Sequence, residues 1–130
     1  MPKVVVDASS WLSVILKEVG SEDIIELVKS SKWSAPEWIL IEAANVVSKK
    51  ADLTVRERMD IIRQVRDDPF DRVPLDVWFE EAASLAIKYH KLSFYDAAYI
   101  ATAKKLNAPI LTEDPEIKKV MSEEGVVSLL

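Results

Sequence analysis

Apolar residues in this chain follow two patterns. Short unbroken runs, such as Val4-Val5-Val6 before Asp7 and Ile110-Leu111 after Pro109, have the length and branching of buried strands. Longer stretches repeat their apolar positions every three or four residues and read as helices. The first covers about 9–17, with Trp11, Leu12, Ile15 and Leu16 at helical spacing, and Gly20 breaks the chain after it. The second covers 21–31, with Ile24, Ile25, Leu27 and Val28 on its apolar side. For the third, Ser34 is the expected cap, with Glu37 three residues later and Pro36 in the first turn. It is predicted to run to about residue 50 and is apolar almost all round.

Thr54 and Glu57 form a second capping-box pair, opening a charged helix that stops before Pro69. Residues 71–74 can form a short strand, and Asp76 begins a helix reaching about residue 90. Ser93 and Asp96 repeat the capping-box spacing ahead of a helix to Leu106, which Asn107-Ala108-Pro109 ends. Asp114-Pro115 opens a last helix that ends at Gly125, and 126–130 reads as a terminal strand. Alternating short strands and helices predict an α/β fold with a parallel sheet, in one domain spanning 1–130. In such sheets ligands bind beyond the carboxyl ends of the strands, where Asp7 and Asp114 fall.

Composition narrows the chemistry. The 130 residues include no cysteine and one histidine, His90, so disulfides, thiolate nucleophiles and multi-histidine metal sites are excluded. Any metal would be held mostly by oxygen, which favours magnesium or manganese. Charged residues make up 30%, and no apolar run is long enough to span a bilayer. The first residues lack a signal-peptide layout, so the expectation is a cytoplasmic protein. The net charge of −5 argues against a nucleic-acid partner unless several carboxylates are gathered at a site that divalent cations neutralise. Amide side chains are limited to Asn45, Gln64 and Asn107, which hints at a hot environment.

Four acids are candidates, each with an ordinary alternative. Asp7 ends the valine run and precedes a helix, where Asp also serves as an N-cap. Glu42 shares a helix face with Ile39, Ala43 and Val46; a carboxylate there is costly unless it reaches water, pairs with a base or binds a cation. Asp96 suits the first turn of its helix, yet its surroundings, Phe94-Tyr95-Asp96-Ala97-Ala98-Tyr99, are otherwise apolar and aromatic. Asp114 before Pro115 is a common helix start, with Glu113 and Glu116 as alternative acids at that corner. Together the four can converge on one edge of the sheet, where they would repel one another without a cation.

Four segments carry a resemblance over nearly the whole chain: Val4-Val5-Val6-Asp7-Ala8-Ser9, Ile41-Glu42-Ala43-Ala44-Asn45-Val46-Val47, Leu92-Ser93-Phe94-Tyr95-Asp96-Ala97-Ala98-Tyr99 and Ile110-Leu111-Thr112-Glu113-Asp114. In their order and intervals they resemble the PIN domains, specifically the VapC toxins of VapBC toxin–antitoxin pairs. The resemblance implies a three-layer sandwich with a central parallel sheet of four to five strands and about seven helices. It also implies a metal-dependent endoribonuclease in which Asp7, Glu42, Asp96 and Asp114 are catalytic and bind Mg2+ or Mn2+, with Ser9 and Thr112 in support. The products would carry a 5′-phosphate and a 3′-hydroxyl. The implied partners are an RNA substrate, a VapB-type antitoxin and a second copy in a homodimer.

Three other readings compete with this one. A PIN-like module that only binds RNA or protein has no reason to gather uncompensated acids. A response-regulator phosphoacceptor needs paired early acids and a later lysine that the chain lacks, and a haloacid-dehalogenase-like phosphatase needs an acid where Ser9 stands. Arg56, Arg63 and Arg66 can share a face that guides RNA or an acidic partner, although a solvated surface is the simpler account. Trp11, Trp33, Trp38 and Trp78 are expected in core or interface, and His90 at a helix end.

Overall fold

Val4, Val5 and Val6 point alternately to opposite sides of their strand, and all three are buried, so both faces of their sheet must be covered. The computed structural model, which describes residues 3–16, 22–29 and 32–129, has that arrangement. Strands β1 (Lys3–Val6), β2 (Lys32–Pro36), β3 (Asp71–Val73) and β4 (Ile110–Leu111) form one parallel sheet in the order β3-β2-β1-β4. Val5 lies opposite both Ser34 and Ile110. Among the described residues seven helices flank the sheet: α1 (Ala8–Leu16), α2 (Glu22–Lys29), α3 (Ile39–Ser48), α4 (Val55–Asp67), α5 (Leu75–Lys88), α6 (Phe94–Leu106) and α7 (Pro115–Glu124). The α/β three-layer sandwich is as expected.

Helix α6 is the packing centre. Residues 97–103 are all buried, against β1, β2 and β4 and beside α5 and α7. Ala97, Ala98, Ala101 and Ala103 let these neighbours approach closely, and the Thr102 hydroxyl is satisfied by the Ala98 carbonyl at 2.7 Å. Trp11 of α1 meets Trp33 of β2 at 5.0 Å and Phe70 at 5.2 Å, and its indole donates to Asp68. Trp78 donates to the Val73 carbonyl. Trp11, Trp33 and Trp78 are therefore core residues, and Trp38 is half-buried.

Local signals placed most helix ends correctly. Thr54 and Glu57 make the full capping box at α4, and Ser93 accepts from the Asp96 amide at α6. Asn107 and Gly125 adopt the left-handed conformation that closes α6 and α7. The helix expected from Asp76 starts one residue earlier and stops at Lys88, leaving His90 in the turn beyond. Arg63 and Arg66 pair with Asp60 and Asp67 on an exposed surface.

Two expectations need correction. Ser34 does not cap a helix: it sits inside β2, and α3 begins at Ile39 behind Trp38, which makes no side-chain capping bond. The Ser34–Glu37 spacing and Pro36 imitate a helix start, but Trp33, Ser34, Ala35 and Pro36 are all buried, as an internal strand requires. The terminal strand reduces to one parallel bridge, Ile110 with Ser128, flanked by hydrogen bonds from Ile110 to Val127 and from Leu129 to Ile110. Gly20, Ser21, both ends of the 21–31 helix and Leu130 lie outside the described residues, as do the side chains of Ile24, Leu27 and Val28.

Glu124 ties the end of α7 to its neighbours. It accepts from the Tyr89 hydroxyl, from Lys88 at 3.0 Å and from Lys104 at 2.9 Å. The Tyr89 hydrogen bond, then those from the two lysines, hold its carboxyl down to about 2. A lowered carboxylate contributes stability that is present above the ordinary glutamate range and is lost as pH falls towards the lowered value. Glu124→Gln should therefore cost about 1 kcal/mol near neutrality, after allowance for solvent screening. Urea unfolding should show the gap between the two proteins closing from about pH 4.5 to pH 2.

Candidate acidic site

The topology brings the ends of β1 and β4 together. The chain moves outward from β1 through β2 to β3, then returns across the sheet to place β4 on the other side of β1. The crevice beyond this reversal is where an open parallel sheet presents a site. Asp7 follows β1 there, and Thr112 and Asp114 follow β4.

Asp7 is only 3% exposed. Its Oδ1 accepts from the Ser10 amide at 2.9 Å and from the Ser9 hydroxyl at 3.4 Å, and its Oδ2 accepts from the Thr112 hydroxyl. Asp7 thus caps α1 and still keeps acceptor capacity, since a carboxylate has about four lone-pair sites. The fully buried Thr112 hydroxyl also accepts from the Asp114 amide at 3.0 Å, so one hydroxyl joins the two strand ends. Asp114 caps α7 through Oδ1, which accepts from Glu116 at 2.9 Å and Ile117 at 3.2 Å. At that corner Asp114 is half-buried, while Glu113 and Glu116 are exposed.

Glu42 and Asp96 enter from the helices. Glu42, in the first turn of α3, accepts from the Tyr99 hydroxyl at 2.8 Å. Burial pushes its carboxyl above the ordinary range; the Tyr99 bond opposes this, and the charges of Asp96 and Asp7 add to it. Burial likewise raises Asp96, with further upward pressure from Asp114 and Asp7 against a hydrogen bond from Ser93. Asp96 thus feels the charges of Asp7 and Asp114, and Glu42 those of Asp96 and Asp7. Among the described residues none of them is paired with a lysine or arginine. An open cavity of about 500 Å³ has Glu42 and Asp96 on its wall, with Trp38, Ile41, Asn45 and Tyr95.

Among the described residues no three acids close around one point as a ready-made cage. Glu42 turns onto Tyr99, and Asp114 onto the first turn of α7. The donors are all oxygen and their charge is uncompensated, so in charge and donor type they fit a hard divalent cation.

Sequence reasoning missed Tyr99. Its ring is 1% exposed, and its hydroxyl accepts from the Ala8 amide at 3.1 Å while donating to Glu42. Burial, then the Glu42 charge, raises its phenol well above the ordinary value. The available signal was its place three residues after Asp96, on the same side of α6.

A family model for the PIN domain matches residues 4–122. The chain belongs to the PIN-domain family. No curated protein sequence matches it. This PIN domain is similar in structure to PAE2754 from Pyrobaculum aerophilum, at 22% identity over 98% of this chain and 90% of that one, with a TM-score of 0.68. It is also similar to a toxin-antitoxin complex from Klebsiella pneumoniae, at 20% identity over 96% of both chains and a TM-score of 0.64. VapC20 of Mycobacterium tuberculosis, a Sarcin-Ricin loop cleaving toxin, matches at 20% identity over 97% of this chain and 98% of that one, with a TM-score of 0.67. At these identities the likeness is one of fold.

The raised carboxyls make a prediction about stability. An acid whose folded value lies above its unfolded one destabilises the fold once ionised, and this penalty vanishes as pH falls below the ordinary range. Asp96→Asn should raise the melting temperature of this PIN domain in EDTA at pH 7. The gain should disappear below about pH 3.9, where the wild-type group is protonated. Calorimetry across that range checks both statements.

Proposed function

We propose that this PIN domain is a metal-dependent endoribonuclease, the toxin of a type II toxin–antitoxin pair, acting through Asp7, Glu42, Asp96 and Asp114. The observation that supports the reading is that Glu42 and Asp96, from distant segments, feel each other's charge and those of Asp7 and Asp114, with no lysine or arginine paired to any of the four among the described residues. A structural cluster would gain stability from a lysine or arginine; an anionic pocket left open suits a divalent cation.

When bound, Mg2+ or Mn2+ supplies water activation and charge neutralisation at a phosphodiester. Asp7, Glu42, Asp96 and Asp114 would hold it. The side chains have distinct tasks. Asp7 is the fixed member, immobilised by Ser9, Ser10 and Thr112. Thr112 is committed to Asp7 and Asp114, so its hydroxyl orients a carboxylate and does not attack. Glu42 and Asp96 face the open cavity, where an RNA strand can approach. Cleavage would leave a 5′-phosphate and a 3′-hydroxyl, by resemblance to the VapC toxins.

The likeness to a toxin-antitoxin complex and to a Sarcin-Ricin loop cleaving toxin supports the RNA substrate and a VapB-type antitoxin. Exposed Ile41, Leu75, Val77 and Phe79 offer apolar surface for the antitoxin or for a second copy in a homodimer. Among the described residues no helix is long and apolar enough to cross a membrane. The second reading is an RNA- or protein-binding module without catalysis.

The test is cleavage of structured RNA by the purified protein in Mg2+ and in EDTA, beside Asp7→Asn and Asp96→Asn. Wild-type cleavage should need the metal, and each variant should lose about a hundredfold or more. Undiminished cleavage in EDTA or in either variant would sink the assignment. RNA binding without cleavage would select the second reading.

A further inference from the structure

A buried tyrosine hydroxyl needs partners, and Tyr99 finds both on distant segments. It accepts from Ala8, 91 residues away, and donates to Glu42, 57 residues away. Ala8 is the first residue of α1, so its amide has no partner within the helix, and it directly follows Asp7. Asp96 lies one turn before Tyr99 in α6. A single phenol therefore links the elements that carry Asp7, Glu42 and Asp96.

The ring itself cannot follow its partners. It is 1% exposed in the central helix and lies edge-on to Trp38 at 5.1 Å and 62°. Glu42 is half-buried and reaches the cavity, where a free carboxylate could adopt several rotamers. The Tyr99 hydroxyl holds Oε2, and among the described residues Oε1 has no hydrogen-bond donor, which leaves it for another ligand. We propose that Tyr99 is a positioning residue of the acidic site, fixing the Glu42 carboxylate relative to Asp7 and Asp96 so that the acids take up a divalent cation. This rests on the metal-dependent reading above.

The experiment uses Mn2+ alone as probe, titrated without RNA and followed by electron paramagnetic resonance of the free ion. Tyr99→Phe keeps the ring and removes the hydroxyl. It should weaken Mn2+ binding by about tenfold to a hundredfold, and saturating Mn2+ should restore RNA cleavage. In a Glu42→Gln background the same change should leave Mn2+ affinity where Glu42→Gln alone puts it, because the partner carboxylate is already gone. A purely structural tyrosine would lower the melting temperature and leave Mn2+ affinity unaltered in both backgrounds, which overturns the proposal.

Asp96→Asn separates metal dependence of the site from positioning by Tyr99. If it binds Mn2+ as the wild type does, the metal-dependent reading and this proposal fall together. If it loses Mn2+ while Tyr99→Phe keeps it, this proposal alone falls. Should Tyr99→Phe not fold, nuclear magnetic resonance of the wild-type protein decides. The Tyr99 hydroxyl proton should shift when Mg2+ is added, and a resonance indifferent to Mg2+ overturns the proposal.

Discussion

The hydrogen bond between Thr112 and Asp7 joins the ends of two neighbouring strands around a carboxylate that is almost wholly removed from water. Burying such a group without donors costs several kcal/mol. Ser9, Ser10 and Thr112 supply the donors, and the last of these is available only because β4 lies beside β1. Strand order, the capping of α1 and the placement of Asp114 meet at this contact. A different neighbour for β1 would cost Asp7 its Thr112 donor.

Around that fixed point the molecule accumulates negative charge and stays folded. The opposing contribution comes from packing in the core. Helix α6 is buried through two turns against three strands and two helices, and the tryptophan cluster of α1 and β2 closes another part of the core. Asp96 and Tyr99 ride on the same rigid helix, so the most densely packed element also delivers the polar groups of the site. Placement on a well-packed helix limits how far repulsion can push a carboxylate aside.

The sequence disclosed those parts of the molecule that are set by neighbours along the chain. Val4-Val5-Val6-Asp7 and Ile110-Leu111-Thr112 could be read as strand followed by polar edge, and the capping boxes at Thr54 and Ser93 marked real helix starts. β2 could not be read in this way. Its five residues hold one aromatic and end in proline, and its serine fell at the spacing of a cap, although its burial between β1 and β3 makes it internal. Tyr99 was hidden for a different reason: in sequence it looks like one more core aromatic, and its meaning lies in two partners that only the fold brings near. The same holds for the side-chain directions of Glu42 and Asp114, which depend on competing local donors.

The parallel pairing of β4 with β1 also governs when the centre can exist. During synthesis the valine strand and Asp7 leave the ribosome more than a hundred residues ahead of Thr112. Until that late segment docks, β1 lacks one neighbour and Asp7 lacks one of its three donors. A nascent chain therefore carries no assembled acidic centre until nearly the whole described fold has formed.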